Sequence, residues 1–198
     1  MNTGPMAESR SLPDLEHFQN IPWCAALLSA PGFQHTKTFS RTVKAHNEDT
    51  LFGQTLKSDN TITHTHSIYQ TSETKLPAPI LEVRTFVTLS TGMNGGPNAL
   101  HGGMITTLMD DAMGTLLKLN RDADERGEMA FGVTARIDVR FRKLMLTPGT
   151  YCVGARVTKV EAKKVGLEGW VCDEDGDLCV TSKSLWILVR RSEAQMKL

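Results

Sequence analysis

The chain has 198 residues, of which 40% are hydrophobic and 22% charged, a composition typical of a globular protein. Its formal net charge is +0, so charge gives no reason to expect a nucleic acid or a membrane surface as partner. No apolar run approaches the ~18 residues of a membrane span, and the first part of the chain lacks the apolar core of a signal peptide. The four cysteines have no C-x-x-C spacing, so no metal site is predicted. We expect a cytoplasmic protein with one domain and an extension.

Residues 1–50 are predicted to form a helical extension and a linker. Residues 11–15 begin a short helix, and residues 21–29 form a second helix that a Pro-Gly pair ends. The apolar side chains of the second helix favour docking on the main body over a role as a substrate lid. Residues 33–50 are interpreted as a linker that crosses the surface, and residues 51–198 as the main domain.

The segment that follows is predicted to contain a short helix and two strands. The helix begins near Asp49, and the alternation of residues 61–69 predicts the first strand. The second strand covers residues 80–90. His64 and His66 share one face of the first strand, but no third ligand accompanies them, so metal binding is not favoured there.

The rest of the chain is organised around residues 94–120. The front half is rich in glycine and predicts a loop, whereas residues 104–119 predict a helix. At about 100° per residue, one arc of this helix is apolar and contains Ile105, Leu108, Met109, Ala112, Met113, Leu116 and Leu119. Asp111 lies on the opposite arc, where we expect a solvated carboxylate. Asp110 lies at the boundary beside Gly114, where partial burial would make it a better base; a plain amphipathic-edge residue is the alternative.

The helix starts with His101, Gly102 and Gly103. The first backbone N–H groups of a helix lack partners, and together with the helix dipole they can stabilise an oxyanion. Asp110 follows Gly102 by 110 − 102 = 8 residues, roughly 12 Å of helix. One helix cannot bring both groups to a single reacting carbon, so we expect a second copy of the chain to complete the site at a dimer interface.

The pattern H-G-G-x-x-x-x-L-x-D is present as His101, Gly102, Gly103, Leu108 and Asp110. It resembles the active-site helix of hotdog-fold acyl thioesterases, closest to the PaaI-like branch and its thioesterase superfamily member 4-like proteins, including fungal ones. The resemblance implies that Asp110 acts as general base or nucleophile and that the Gly102 amide polarises the thioester carbonyl. For His101, we favour a structural role in fixing the turn over that of a general acid.

A charged loop at residues 121–128 is followed by four predicted strands, at residues 133–142, 151–160, 165–172 and 178–189. Along the first of them, one face is predicted to carry Val133, Ala135, Ile137, Val139 and Phe141. Thr134 would lie on the other, polar face, and an ordinary strand residue fits that position. The resemblance instead implies that Thr134 positions the water or substrate opposite the aspartate. One central helix wrapped by an antiparallel sheet is the hotdog architecture, an α+β fold.

Several further residues are candidates for substrate binding. Thr106 and Met113 flank the aspartate on the helix, and Gly103 offers a second bare amide. Asn94 and Asn98 are candidates for orienting the thioester, since related branches place an Asn or Gln before the HGG motif.

Arg136 and Arg140 are candidates for contacts with the phosphates of coenzyme A. Such contacts would be at the surface, because the chain has no G-x-x-x-x-G-K loop; a solvated basic face is the alternative. No cofactor is predicted other than coenzyme A as part of the substrate.

The favoured function is hydrolysis of an acyl thioester, either acyl-CoA or acyl carrier protein, by a homodimer or a dimer of dimers. In this hypothesis Thr134 comes from the partner subunit, and replacing Asp111 has little effect.

Two alternatives remain. One is a hotdog enzyme that acts on a carrier-bound polyketide or enoyl thioester, as a dehydratase, isomerase or chain-release enzyme. The other is a non-catalytic acyl-binding dimer, which would release no thiol.

Overall fold

The computed structural model describes residues 14–72, 79–123 and 131–189. Within these residues the helices are α1 (Leu15–Gln19), α2 (Pro22–Leu28) and α3 (Gly102–Asp122). The strands of the same ranges are β1 (Phe33–Thr36), β2 (Ile62–Thr71), β3 (Ile80–Leu89), β4 (Asn94–Gly96), β5 (Ala99–Leu100), β6 (Phe131–Phe141), β7 (Gly149–Glu161), β8 (Lys164–Cys172) and β9 (Leu178–Val189). No helix of the described ranges has the length and apolarity needed to cross a membrane.

Seven of the strands form one antiparallel sheet in the order β1-β2-β3-β7-β8-β9-β6, and β4 pairs with β5 beside it. The long helix α3 packs against β3, β6, β7 and β8. The predicted α+β hotdog architecture, one central helix wrapped by an antiparallel sheet, is therefore confirmed. Because β6 is an edge strand, one side of its backbone has no neighbouring strand within the described sheet.

The helix α3 buries the face that its periodicity predicts. All seven residues of the apolar arc are at most 7% exposed, and burial of each large side chain stabilises the fold by about 1.5–3 kcal/mol. The helix is longer than predicted: it begins at Gly102 and continues to Asp122, into the expected charged loop. Residues 124–128 of that loop lie outside the described residues.

The other face of the sheet is covered in part by α1 and α2. Phe18, Cys24 and Leu28 of the helices pack against Ile68, Phe86 and Cys152 of the sheet. We call these six residues the outer cluster. They confirm the predicted docking role of the second helix. Most of the first predicted helix lies outside the described residues, and α1 begins at Leu15.

The segment interpreted as a linker is more ordered than predicted. Residues 33–36 form β1 and pair with β2. Residues 38–49, here called the strap, contact α3 through Phe39–Arg41. The expected short helix is a single π-helical turn at Leu51–Thr55. Short segments of this kind carry little periodicity, so their structure comes from the surfaces on which they pack. The division of the chain at residue 50 stays a prediction.

Candidate active site

A cavity of about 260 Å³ lies beside the middle of α3. The helix contributes Asp110, Asp111 and Gly114 to its wall, so the room predicted beside Gly114 is present. The remaining walls come from the strap, the C-terminal half of α3, β6 and β9, and include Phe39, Ser40, Glu48, Asp49, Thr115, Leu117, Lys118, Arg121, Phe131, Gly132 and Trp186. The cavity thus places two adjacent carboxyl groups among aromatic side chains.

Thr134 orients the carboxylate of Asp110. Its Oγ1 donates a hydrogen bond of 2.7 Å to Asp110 Oδ1, and both residues are half-buried. A hydrogen bond to one carboxylate oxygen holds the group in one rotamer and leaves the other oxygen for a ligand. Within the described residues Asp110 forms no ion pair.

A β-bulge turns Thr134 towards the helix. On β9, Trp186 lies opposite Thr134 and Leu185 lies opposite Arg136, so Ala135 is an extra residue in β6. Such a bulge re-aims the side chains on either side of it. The predicted alternation is therefore wrong before the bulge, where Val133 is 45% exposed, and correct beyond it, where Ile137 packs on the core.

The same contact corrects the expected origin of the threonine. Thr134 reaches Asp110 within one chain, whereas the sequence hypothesis took it from the partner subunit. The strand β6 lies beside α3 in the fold of a single chain, so no second copy is needed for this hydrogen bond.

At the start of α3 the amide of Gly103 is hydrogen-bonded, whereas in the part of the chain that the structure describes the amide of Gly102 is not. His101 is the N-cap, and its Nδ1 accepts a hydrogen bond of 2.9 Å from the Gly103 amide. This geometry matches the structural role favoured for His101 and engages the amide of Gly103. Among the described residues no hydrogen-bond acceptor contacts the Gly102 amide. Phe141 lies 3.5 Å from the position of a Cβ on Gly102 and forms the nearest wall.

Asp111 is not the solvated carboxylate that its helical position predicts. Ser40 Oγ donates a hydrogen bond of 3.0 Å to Asp111 Oδ2. Burial raises the pKa of Asp111 to about 7, and the neighbouring charge of Asp110 adds to the rise, although the Ser40 hydrogen bond opposes it. Asp111 retains some exposed surface and lines the cavity.

The strap supplies the residues that sequence reasoning missed. Phe39 and Ser40 come from the segment interpreted as a linker and line the cavity. Arg41 fixes them: its buried guanidinium donates to the carbonyls of Phe52, Leu56 and Ile62 at 2.8–3.1 Å. The one signal in the sequence is an arginine two residues after a phenylalanine, and this pattern is too common to identify a site.

Four of the predicted binding residues lie elsewhere. Asn94 accepts a hydrogen bond from Thr147, and Asn98 forms a left-handed turn with φ 50°. Thr106 donates back to the carbonyl of Gly102 within the helix, at 3.1 Å. Met113 is fully buried in the core. None of these four lines the cavity beside Asp110.

Arg136 and Arg140 line a different, larger groove of about 1040 Å³. Along β3 its lining residues alternate with Val83, which packs in the core, so the groove lies on the sheet face opposite α3. Its basic side chains are Arg84, Arg136, Arg140, Arg142, Arg156 and Lys183, and its acidic ones are Glu82, Asp138 and Glu168. The structure therefore separates the two predicted phosphate contacts from the cavity of Asp110.

The three acidic side chains Asp173, Asp175 and Asp177 lie close enough to share a cation. Lys143 already supplies the positive charge, because its Nζ bonds Asp173 at 2.5 Å and Asp177 at 2.8 Å.

The histidines of β2 diverge in their partners. His64 stacks on His17 with ring centroids 3.7 Å apart, whereas His66 is buried and bonds His35 at 3.0 Å. The two histidines of β2 therefore have separate partners in the fold.

Residues 98–180 match a family model described as the thioesterase superfamily. The matched segment contains α3, β6, β7 and β8. The resemblance to thioesterases that the pattern from His101 to Asp110 indicated is thereby confirmed. A relative named verlamelin biosynthesis protein B, from Lecanicillium sp, is 40% identical over 75 residues, which cover 35% of this chain and 32% of that protein. The match thus spans about a third of the relative's length.

Solved structures resemble this chain at low sequence identity. A variant of a hypothetical thioesterase protein from Streptococcus pneumoniae TIGR4 has a TM-score of 0.52 at 10% identity, over 68% of this chain and 99% of that one. The E. coli PaaI protein from the phenylacetic acid degradation operon has a TM-score of 0.47 at 13% identity, over 55% of this chain and 72% of that one. At such identity the likeness concerns the fold alone.

Proposed function

We propose that the protein hydrolyses an acyl thioester to a free acid and a thiol. The observation that carries this proposal is the carboxylate of Asp110, oriented by Thr134 and open to a cavity with aromatic walls. The match of residues 98–180 to the thioesterase superfamily supports the reaction class. The acyl group would occupy the space between Phe39, Phe131 and Trp186, which line the same cavity.

In the proposed mechanism Asp110 acts as general base. It takes a proton from a water molecule as the water oxygen attacks the thioester carbonyl carbon. Thr134 keeps the carboxylate oxygen Oδ1 engaged, so the other oxygen, Oδ2, receives the proton. The carbonyl oxygen becomes an oxyanion, which the Gly102 amide at the positive end of α3 would stabilise.

The position of Gly102 supports a homodimer, because about 12 Å of helix separates it from Asp110 within one chain. The edge strand β6 offers a surface for a second copy. Its side chains Phe131, Val133 and Phe141 are 52%, 45% and 56% exposed, which is an unusual amount of apolar surface on a free strand. Pairing of two β6 strands would cover them and bring each Asp110 towards the partner's half of the site. A dimer of dimers is compatible with the same contact.

The thiol carrier is proposed to be coenzyme A or an acyl carrier protein, with coenzyme A entering only as part of the substrate. The relative from Lecanicillium sp is named for a biosynthetic pathway, which keeps a carrier-bound substrate as an alternative to free acyl-CoA.

A free-thiol assay on purified protein with a panel of acyl-CoA esters tests the proposal. We expect Asp110→Asn to lower kcat by roughly 10³-fold while the oligomeric state, measured by sedimentation, stays that of the wild type. Glu161→Gln is the control, because Glu161 pairs with Lys159 at the surface and lines neither the cavity nor the groove. Normal turnover by Asp110→Asn, or binding of acyl-CoA by the wild type without thiol release, would refute the proposal.

A further inference from the structure

Asp111 and Ser40 form a second ionisable unit in the cavity of Asp110. The two aspartates are adjacent on α3 and line the same space. Ser40 is 5% exposed and donates to Asp111 Oδ2 from the strap. Within the described residues no donor contacts Asp111 Oδ1, so this oxygen is left for a ligand in the cavity.

The charged groups around Asp111 leave it without an ion pair in the described residues. Arg41 is the nearest guanidinium of the strap, but it donates to three backbone carbonyls. Lys44 donates to the Phe39 carbonyl and pairs with Asp49. A buried carboxyl group without a cation at bonding distance retains its proton more strongly.

The cations that α3 contributes to the cavity wall are engaged elsewhere. Lys118 pairs with Asp122 at 2.7 Å, and Arg121 pairs with the same carboxylate at 3.4 Å. Glu48, at the tip of the strap, adds negative charge to the wall. The surroundings of Asp111 therefore favour its neutral form more than those of a surface aspartate do.

We propose that Asp111 is the general acid of the thioester hydrolysis, held by Ser40 as its positioning residue. The inference rests on the proposed function and identifies Asp111 as the source of the proton that the leaving thiolate needs. Because the Ser40 hydroxyl donates to Oδ2, the acidic proton of Asp111 resides on Oδ1, the oxygen left for the cavity.

Two carboxyl groups account for every proton that is transferred in the reaction. Water loses a proton to Asp110 as its oxygen bonds to the carbonyl carbon. The carbon–sulfur bond then breaks, and the sulfur takes the proton of Asp111. The proton on Asp110 passes to Asp111 through a water molecule, and both groups return to their starting states. The net reaction adds one water across the carbon–sulfur bond, and no oxidant or metal is consumed.

Two thioesters of the same acyl group test the role of Asp111. In one the leaving group is an alkyl thiol, as in coenzyme A, and in the other it is a more acidic aryl thiol, which leaves without a proton. We expect Asp111→Asn to lower kcat roughly 10²-fold on the alkyl ester and less than about 3-fold on the aryl ester. Asp110→Asn should lose activity on both esters, because both need an activated water.

The pH profile on the alkyl ester gives a second readout. A general acid works only while protonated, and the pKa of Asp111 is about 7, so wild-type kcat should fall as the pH rises above about 7. The Ser40 hydrogen bond lowers that pKa; Ser40→Ala should therefore move the fall to higher pH. Asp111→Glu retains an acid and should recover part of the activity.

Equal losses on the two esters would overturn the proposal, since they indicate a structural role for Asp111. Full activity of Asp111→Asn would also overturn the proposal, because it would show that Asp111 has no role in the reaction. Retention of activity by Asp110→Asn would instead refute the proposed function itself. Circular dichroism of each variant, with Glu161→Gln as control, verifies that the fold is intact.

Discussion

The groove on the outer face of the sheet and the cavity beside α3 differ in volume and in the state of their charged side chains. The groove on the outer face has about four times the volume of the cavity beside α3, about 1040 Å³ against about 260 Å³. Most of its charges are paired near solvent, as in Arg136 with Asp138 at 2.8 Å. In the small cavity Asp110 and Asp111 form no ion pairs within the described residues, and the pKa of Asp111 is raised. The difference teaches that desolvated ionisable groups, rather than volume, locate a candidate active site.

The outer cluster should matter for stability and not for chemistry. Phe18 is fully buried and packs on Phe86, so Phe18→Ala is expected to lower the free energy of unfolding by about 3–5 kcal/mol. We expect kcat of the folded variant to stay within about two-fold of wild type, because Phe18 does not line the cavity. Urea unfolding and the free-thiol assay measure the two effects. A loss of kcat in a variant still folded at zero urea would show that the two faces are coupled.

Acid should weaken the outer face through His66. Burial, followed by the nearby His35, lowers the pKa of His66 from 6.5 to about 4. The unfolded chain therefore binds this proton first, so the stability contributed by neutral His66 is complete above about pH 6.5 and is lost as the pH falls to 4. At about 1.4 kcal/mol for each pH unit, the loss is about 3 kcal/mol.

Urea unfolding between pH 7.5 and pH 4, roughly the window of this titration, measures the effect. His66→Gln should flatten the pH dependence, whereas His46→Gln, at an exposed position of the strap, should leave it unchanged. An equally steep loss in His66→Gln would assign the acid sensitivity to other groups.

One substitution on each face distinguishes the cavity from the groove most directly. Thr134→Val removes the hydrogen bond to Asp110 and keeps the shape of the side chain. We expect kcat to fall by about 10–100-fold, the value of a hydrogen bond to a charged group. Thr181→Val makes the same change in the outer groove, where Thr181 accepts from Arg142 at 3.3 Å, and should alter kcat by less than about two-fold. The reverse order of effects would place the chemistry in the groove.

The central parts of the fold could be predicted from the sequence because their signals are local. The apolar arc of α3 reports which side chains the helix buries, and the strands β2, β3, β7, β8 and β9 lie within a few residues of their predicted positions. The β-bulge at Ala135 inverted the faces of only the first residues of β6. A single extra residue leaves composition and spacing unchanged, so alternation alone could not show that Thr134 faces the helix.

By itself the sequence determined the α3 helix, its buried side and the place of Asp110 and Gly102 on it, since residues a few positions apart decide those properties. Only the tertiary structure decided the environment of Asp111. Its hydrogen-bond partner, Ser40, lies 71 residues away in a segment without periodicity. The pKa of a carboxyl group depends on what surrounds it in space. A helical wheel shows the direction of a side chain but not the strap that covers it.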